Sequence, residues 1–94
     1  MKVPVKTKEM EWSKFGDMYI LVDPTTQKTF TLDTIAFLVW IQCDGKTTLD
    51  EMTDVFSVNG NRDIVKAALS GILEKLEKAG LIQWVEKKKR KKPS

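Results

Sequence analysis

The spacing of apolar residues changes character near the middle of the chain, and the change divides a sheet from a set of helices. From Glu9 to Phe15 the pattern alternates weakly, with Met10 and Trp12 on one face and Glu11 and Ser13 on the other. Gly16-Asp17 is a turn signal. Met18-Tyr19-Ile20-Leu21-Val22 is rich in β-branched and aromatic residues and predicts a well-buried strand. Asp23-Pro24-Thr25-Thr26-Gln27 predicts a turn, with proline fixing φ. Lys28 to Leu32 alternates again: Phe30 and Leu32 point one way, Thr29 and Thr31 the other. Together these segments predict a three-stranded antiparallel meander.

Past Leu32 the period becomes helical. Asp33 or Thr34 is a candidate N-cap. Ile35 to Ile41 is apolar nearly all round, which predicts a buried helix. Cys43-Asp44-Gly45 ends it, with Gly45 suited to a left-handed residue. Thr47 or Thr48 caps a second helix, and Thr48-Leu49-Asp50-Glu51 fits the capping-box pattern. Leu49, Met52 and Phe56 supply its apolar stripe, with Val55 beside it. Asn59-Gly60-Asn61 interrupts the chain. The third helix runs from about Arg62 to Ala79, with Val65, Leu69, Ile72 and Leu76 as its core stripe and Gly80 as its stop. Leu81 to Val85 predicts a short strand or wing. Residues 1–8 hold one proline and no clear period, and predict a loose arm with room for a short extended piece.

The fold class that follows is α+β: a three-stranded antiparallel sheet packed on a three-helix, winged-helix-like bundle. One domain is expected over residues 9–85, between the arm at 1–8 and a tail at 86–94. A chain of 94 residues with a hydrophobic fraction of 41% has room for one modest core. The longest apolar run, Ile35 to Ile41, is too short to span a membrane. The first residues lack the apolar stretch of a secretory signal. A cytoplasmic protein is therefore expected.

Composition removes several kinds of chemistry. Cys43 is the only cysteine and histidine is absent, so an intramolecular disulfide and a Cys/His zinc site are both excluded. So is any mechanism that uses a histidine base. Cys43, beside an apolar run, reads as a small buried hydrophobe. No phosphate-binding glycine loop, metal-ligand cluster or nucleophile elbow is present. Glu9, Glu11, Asp50, Asp54, Glu74 and Glu77 read as solvated positions. No enzymatic activity, no catalytic residue, no cofactor and no metal is expected.

The net charge of +3 hides two halves of opposite sign. Lys87 to Lys92 contribute six positive charges in one run, and the remainder holds ten basic against thirteen acidic residues, a balance of −3. The tail reads as a solvated, disordered end; its functional alternative is non-specific attraction to nucleic acid or to an acidic partner. Three helices and a wing also outline a winged-helix DNA-binding protein. Its reading helix should present bases to phosphate. The exposed positions of the third helix are Arg62, Asp63, Lys66, Glu74, Lys75, Glu77 and Lys78, three of them acids. Nucleic acid is thus not expected, except non-specifically through the tail.

A peptide-binding alternative rests on the third helix and the third strand. At 100° per residue, Ile64, Ala67, Ala68 and Gly71 lie on one flank of the core stripe. A helical glycine costs about 1 kcal/mol against alanine, so Gly71 should have a packing reason. The small flank either lets the helix pack closely on the sheet or leaves a shallow apolar trough. Beside the open edge of Lys28 to Leu32, such a trough would receive an extended peptide as an added strand.

The ordered set of these features resembles the PqqD-like proteins, also called RiPP recognition elements. The matching residues are Pro4, Tyr19 to Val22, Asp23-Pro24, Phe30 with Leu32-Asp33, Ile35 to Ile41 including Trp40, and Asp44-Gly45. They continue through Thr48-Leu49-Asp50-Glu51, Val65 with Leu69, Leu73 and Leu76, and Gly80-Leu81-Ile82, so the likeness covers roughly residues 4–82. Thr34 stands where the family often has proline, and the Lys87–Lys92 tail is not part of its pattern. The resemblance implies a chaperone that binds the leader of a ribosomally made precursor peptide as an added strand. It also implies a partner enzyme that modifies the peptide, commonly a radical SAM enzyme. Carried over by position, it implicates Lys28, Thr29, Phe30, Thr31 and Leu32 with Ile64, Ala67, Ala68, Gly71 and Lys75. Lys28, Lys66 and Lys75 are candidates to pair with acidic leader side chains.

Overall fold

A computed structural model describes residues 1–87; the basic run beyond Lys87 lies outside the described residues. The element order is β1 (Lys2–Lys6), β2 (Glu11–Phe15), β3 (Met18–Val22), β4 (Thr29–Asp33), α1 (Thr34–Ile41), α2 (Leu49–Phe56), α3 (Arg62–Lys78) and β5 (Ile82–Glu86). Strands β2, β3 and β4 form the expected antiparallel meander. A second sheet pairs β1 with β5. The class is α+β: α1 packs on the three-stranded sheet, α2 packs on α3, and α3 packs on α1 and β5.

The meander follows from its turns. Phe15 pairs with Met18, which leaves a two-residue hairpin with Gly16 at φ +62° in its first position. The β3–β4 connection is organised by Asp23. Its backbone N–H donates to Lys28 O at 2.9 Å, and its carboxylate accepts from the backbone N–H groups of Thr25 and Thr26. Lys8 reaches the same carboxylate, which the lysine and these donors hold far below the usual carboxylate range.

Only one face of the meander is covered. Leu21 is fully buried, whereas Ile20 and Val22 are half-buried and Met18 is exposed. The well-buried strand expected from Met18 to Val22 is therefore buried on a single face, because among the described residues no second layer lies over the other. Helix α1 shows the same departure. Phe37, Val39 and Trp40 enter the core, but Ile35 (56%), Leu38 (42%) and Ile41 (42%) remain exposed. Eight residues make little more than two turns, so one side of α1 meets the sheet and α3 while the other faces out. Tyr19 stacks on Phe37 at 3.9 Å between ring centroids, and Trp12 lies 4.9 Å from Phe37.

The helices begin and end as their caps direct. Asp33 accepts from Ala36 N at 2.7 Å and caps α1. Thr48 and Glu51 form the reciprocal capping box on α2. Asn61 caps α3. At its far end Gly80 takes φ +78°, its N–H bonds Glu77 O, and Leu81 N–H bonds Leu76 O. This pair of bonds is a Schellman stop, and it turns Leu81 back into the core. Leu69, Leu73 and Leu76 of α3 are buried, with Val65 and Ile72 half-buried beside them.

The N-terminal segment is not a loose arm. Lys2–Lys6 is a strand whose Val3 is fully buried, paired on one side with β5. On its other side Pro4 O accepts from Gly45 N, and Lys6 N–H donates to Cys43 O. Its main partner is about 80 residues away in sequence, so no local pattern announces the pairing. Cys43 is buried, as its setting predicted, and its thiol is pushed up to about 12 by that burial.

Candidate functional site: a strand edge beside a helical wall

Strand β4 closes one side of the three-stranded sheet, and among the described residues its outer edge has no strand partner. The direction of its backbone groups follows from the ladder. Asp23 N–H donates to Lys28 O, so that pair lies within the hydrogen-bonded set. In an antiparallel ladder such pairs recur every second residue, which makes Leu21·Phe30 and Tyr19·Leu32 the next two. The backbone groups of Phe30 and Leu32 are thus spent inside the sheet. Those of Thr29 and Thr31, and the N–H of Asp33, point outward.

Beside this edge a cavity of about 340 Å³ lies between β4 and α3. Phe30, Leu32 and Asp33 line one side, Ile72, Lys75, Leu76 and Ala79 the other, with Ala36 and Leu81 also reaching it. A smaller depression of about 170 Å³ shares Phe30, Ala79 and Leu81 with it and continues past Lys28 to the Lys8–Asp23 pair. The two form one groove along β4. The larger cavity is mostly apolar and the smaller one more polar; the charged residues that line them are Lys8, Asp23, Lys28, Asp33 and Lys75. Asp33 is occupied in capping α1 and Asp23 is held by Lys8. Lys28 and Lys75 take part in no ion pair among the described residues.

Of the residues picked out in the sequence, Phe30, Thr31, Leu32 and Lys75 line the larger cavity and Lys28 the smaller; Thr29 supplies the outward edge. Ile64, Ala67, Ala68 and Gly71 are exposed on α3, and none of them lines either cavity. A Cβ on Gly71 would meet nothing within 4 Å, so no neighbour requires glycine there. Lys66 is engaged elsewhere, 2.9 Å from Asp50 Oδ1, and that contact draws the Asp50 carboxyl below its ordinary range. It is not available to a peptide as an unpaired charge.

Sequence reasoning missed Ile72, Leu76, Ala79, Leu81, Ala36 and Asp33 as wall residues. The signal was present in part. Ile72 and Leu76 belong to the core stripe, and the groove opens where that stripe borders the small flank. Helical spacing marks the border, but only the placement of β4 decides which side of it opens.

Among the described residues no group of three or more His, Cys, Asp or Glu is placed to hold a metal, and no helix is long and apolar enough to cross a membrane. The sequence pattern of the family described as "Coenzyme PQQ synthesis protein D (PqqD)" matches residues 18–82, over two thirds of the chain. The chain belongs to the PqqD family. The match begins at β3 and runs to the first residue of β5, so it contains β4, α3 and every wall residue of the larger cavity. PqqD membership points to a non-catalytic accessory protein with a peptide-binding role in the biosynthesis of ribosomally made, modified peptides. No curated protein and no solved structure gives a significant match.

Proposed function

We propose that this PqqD-family protein binds the leader of a precursor peptide by strand addition on β4 and presents it to a modifying enzyme, a radical SAM enzyme being the partner the family implies. The observation that carries the reading is the outward set of Thr29, Thr31 and Asp33 backbone groups beside an apolar groove. Main-chain bonds to such an edge give affinity, and pockets for alternate side chains give specificity. Five strand residues span about 17 Å, enough to hold a short extended segment. Beyond that segment, the exposed small flank of Ile64, Ala67, Ala68 and Gly71 extends the surface along α3. The protein contributes binding and orientation; the chemistry belongs to the partner. It acts in the cytoplasm, as one domain bounded by residues 9–85 with the β1 strand added.

The test is selection of a displayed library of random linear peptides on the full chain, followed by amide hydrogen exchange with the best binder. Protection gained at Thr29 and Thr31 supports strand addition. A tight binder that leaves these amides unprotected places the peptide elsewhere and overturns it.

A further inference from the structure

We infer that the preferred peptide carries the pattern acid–x–apolar–x–acid, with its three named side chains turned into the groove. The inference rests on the strand-addition reading and sharpens it. Phe30 and Leu32 turn their side chains toward the groove, while their backbone groups face β3. A peptide strand paired to the open edge would exchange bonds with Thr29, Thr31 and Asp33. Its residues opposite Lys28, Phe30 and Leu32 would then point to the groove side, two positions apart.

These three positions meet different surroundings. The central one lies over Phe30, Ala79 and Leu81, which both cavities share, and this junction is apolar. The position opposite Lys28 enters the smaller depression. There Lys8 and Asp23 neutralise each other and the Lys28 ammonium remains. The position opposite Leu32 enters the larger cavity away from that junction; its lining includes Lys75, four residues from Ala79 along α3. The one carboxylate in that lining, Asp33, is turned to the Ala36 N–H as the cap of α1 and forms no ion pair with Lys75 among the described residues. Away from the groove, Lys66, Lys78, Lys87 and Arg62 contact carboxylates of the chain itself. Lys2, Lys6, Lys14 and Lys46 also take part in no ion pair among the described residues, but they line neither cavity. An unpaired ammonium at each end of an apolar groove favours a carboxylate at each end of its ligand. The pattern reads the same in both directions, so it holds for a parallel or an antiparallel peptide.

The experiment is parallel selection of the same displayed random library on the wild-type chain and on Lys28→Glu and Lys75→Glu. Thermal melts by circular dichroism check that both variants fold. Wild-type pools should enrich Asp or Glu at both outer positions around an apolar centre. Each variant should replace acid by Lys or Arg at one end only. For a synthetic peptide from the wild-type pool, each variant should weaken binding by about five-fold, and less at high salt. A wild-type pool of tight binders with no acid preference overturns the inference and leaves strand addition standing. So does an acid preference unchanged in both variants. A wild-type pool that enriches nothing overturns the inference and the peptide-binding function together.

Discussion

Thr31→Pro separates the fold from the binding edge. In the ladder Thr31 pairs with Ile20 at a position where neither residue bonds the other, so its N–H faces outward. Proline there removes no hydrogen bond of the folded chain. Edge strands tolerate proline when the lost N–H faces solvent, and the remaining cost is the shift of φ toward about −65°. A bound peptide fares differently. One of its carbonyls loses its donor, which costs about 1–3 kcal/mol, and the ring stands where the peptide backbone must approach. Affinity should fall by roughly ten- to a hundred-fold. Phe30→Pro is the reciprocal control. Its N–H is spent on Leu21, so the change should lower the melting temperature directly. Thr31→Val keeps the N–H and should bind as wild type. Titration calorimetry with a selected peptide, beside thermal melts, reads both quantities. If Thr31→Pro folds and binds like the wild type, the peptide does not add to this edge and the assignment of outward backbone groups to function is wrong.

Three further outcomes are expected. Ala79→Leu, at the junction of the two cavities, should weaken peptide binding more than Gly71→Leu, which sits outside both; the reverse order in the same titration would move the site up α3. Gly80→Ala should cost about 1–2 kcal/mol from its left-handed φ alone. Gly45→Ala should cost more, because the added Cβ would also lie 3.3 Å from Val5 Cγ2; chemical denaturation would refute this if the two losses were equal. Asp23, Asp44, Asp50 and Glu51 all titrate below their ordinary values when folded. Their contribution is therefore complete above about pH 5, past the ordinary carboxylate values, and is lost as pH falls through the folded values. Melting temperature should be level from pH 5 to 8, where no histidine titrates, and fall in acid. Asp23→Asn should make that fall shallower.

Much of the local structure was legible because short-range chemistry fixes it. The capping box of Thr48 and Glu51, the Asp33 cap, the Gly16 hairpin and the Gly80 stop each depend on residues within a few positions of one another. The period change at Leu32 marked the passage from sheet to helices for the same reason. Burial was less legible. Apolar runs at Met18–Val22 and Ile35–Ile41 state what a residue prefers, not whether a second layer exists to cover it. Here, among the described residues, none covers the outer face of the meander or the outer side of α1.

What the sequence determined by itself is the element order from β2 onward, the class, the strand Lys28 to Leu32 as a candidate edge, and the family likeness that the match over residues 18–82 bears out. What only the tertiary structure decided is which surfaces meet. The pairing of β1 with β5 joins residues from opposite ends of the chain. The wall of the groove falls on Ile72, Lys75, Leu76 and Ala79 rather than on the small flank. The state of each lysine also depends on distant partners: Lys66 meets Asp50 across two helices, while Lys28 and Lys75 meet no carboxylate among the described residues. Helical and strand periods fix the angle of a side chain about its own element. The packing of one element on another sets which angles face a partner, and that is a property of the whole chain.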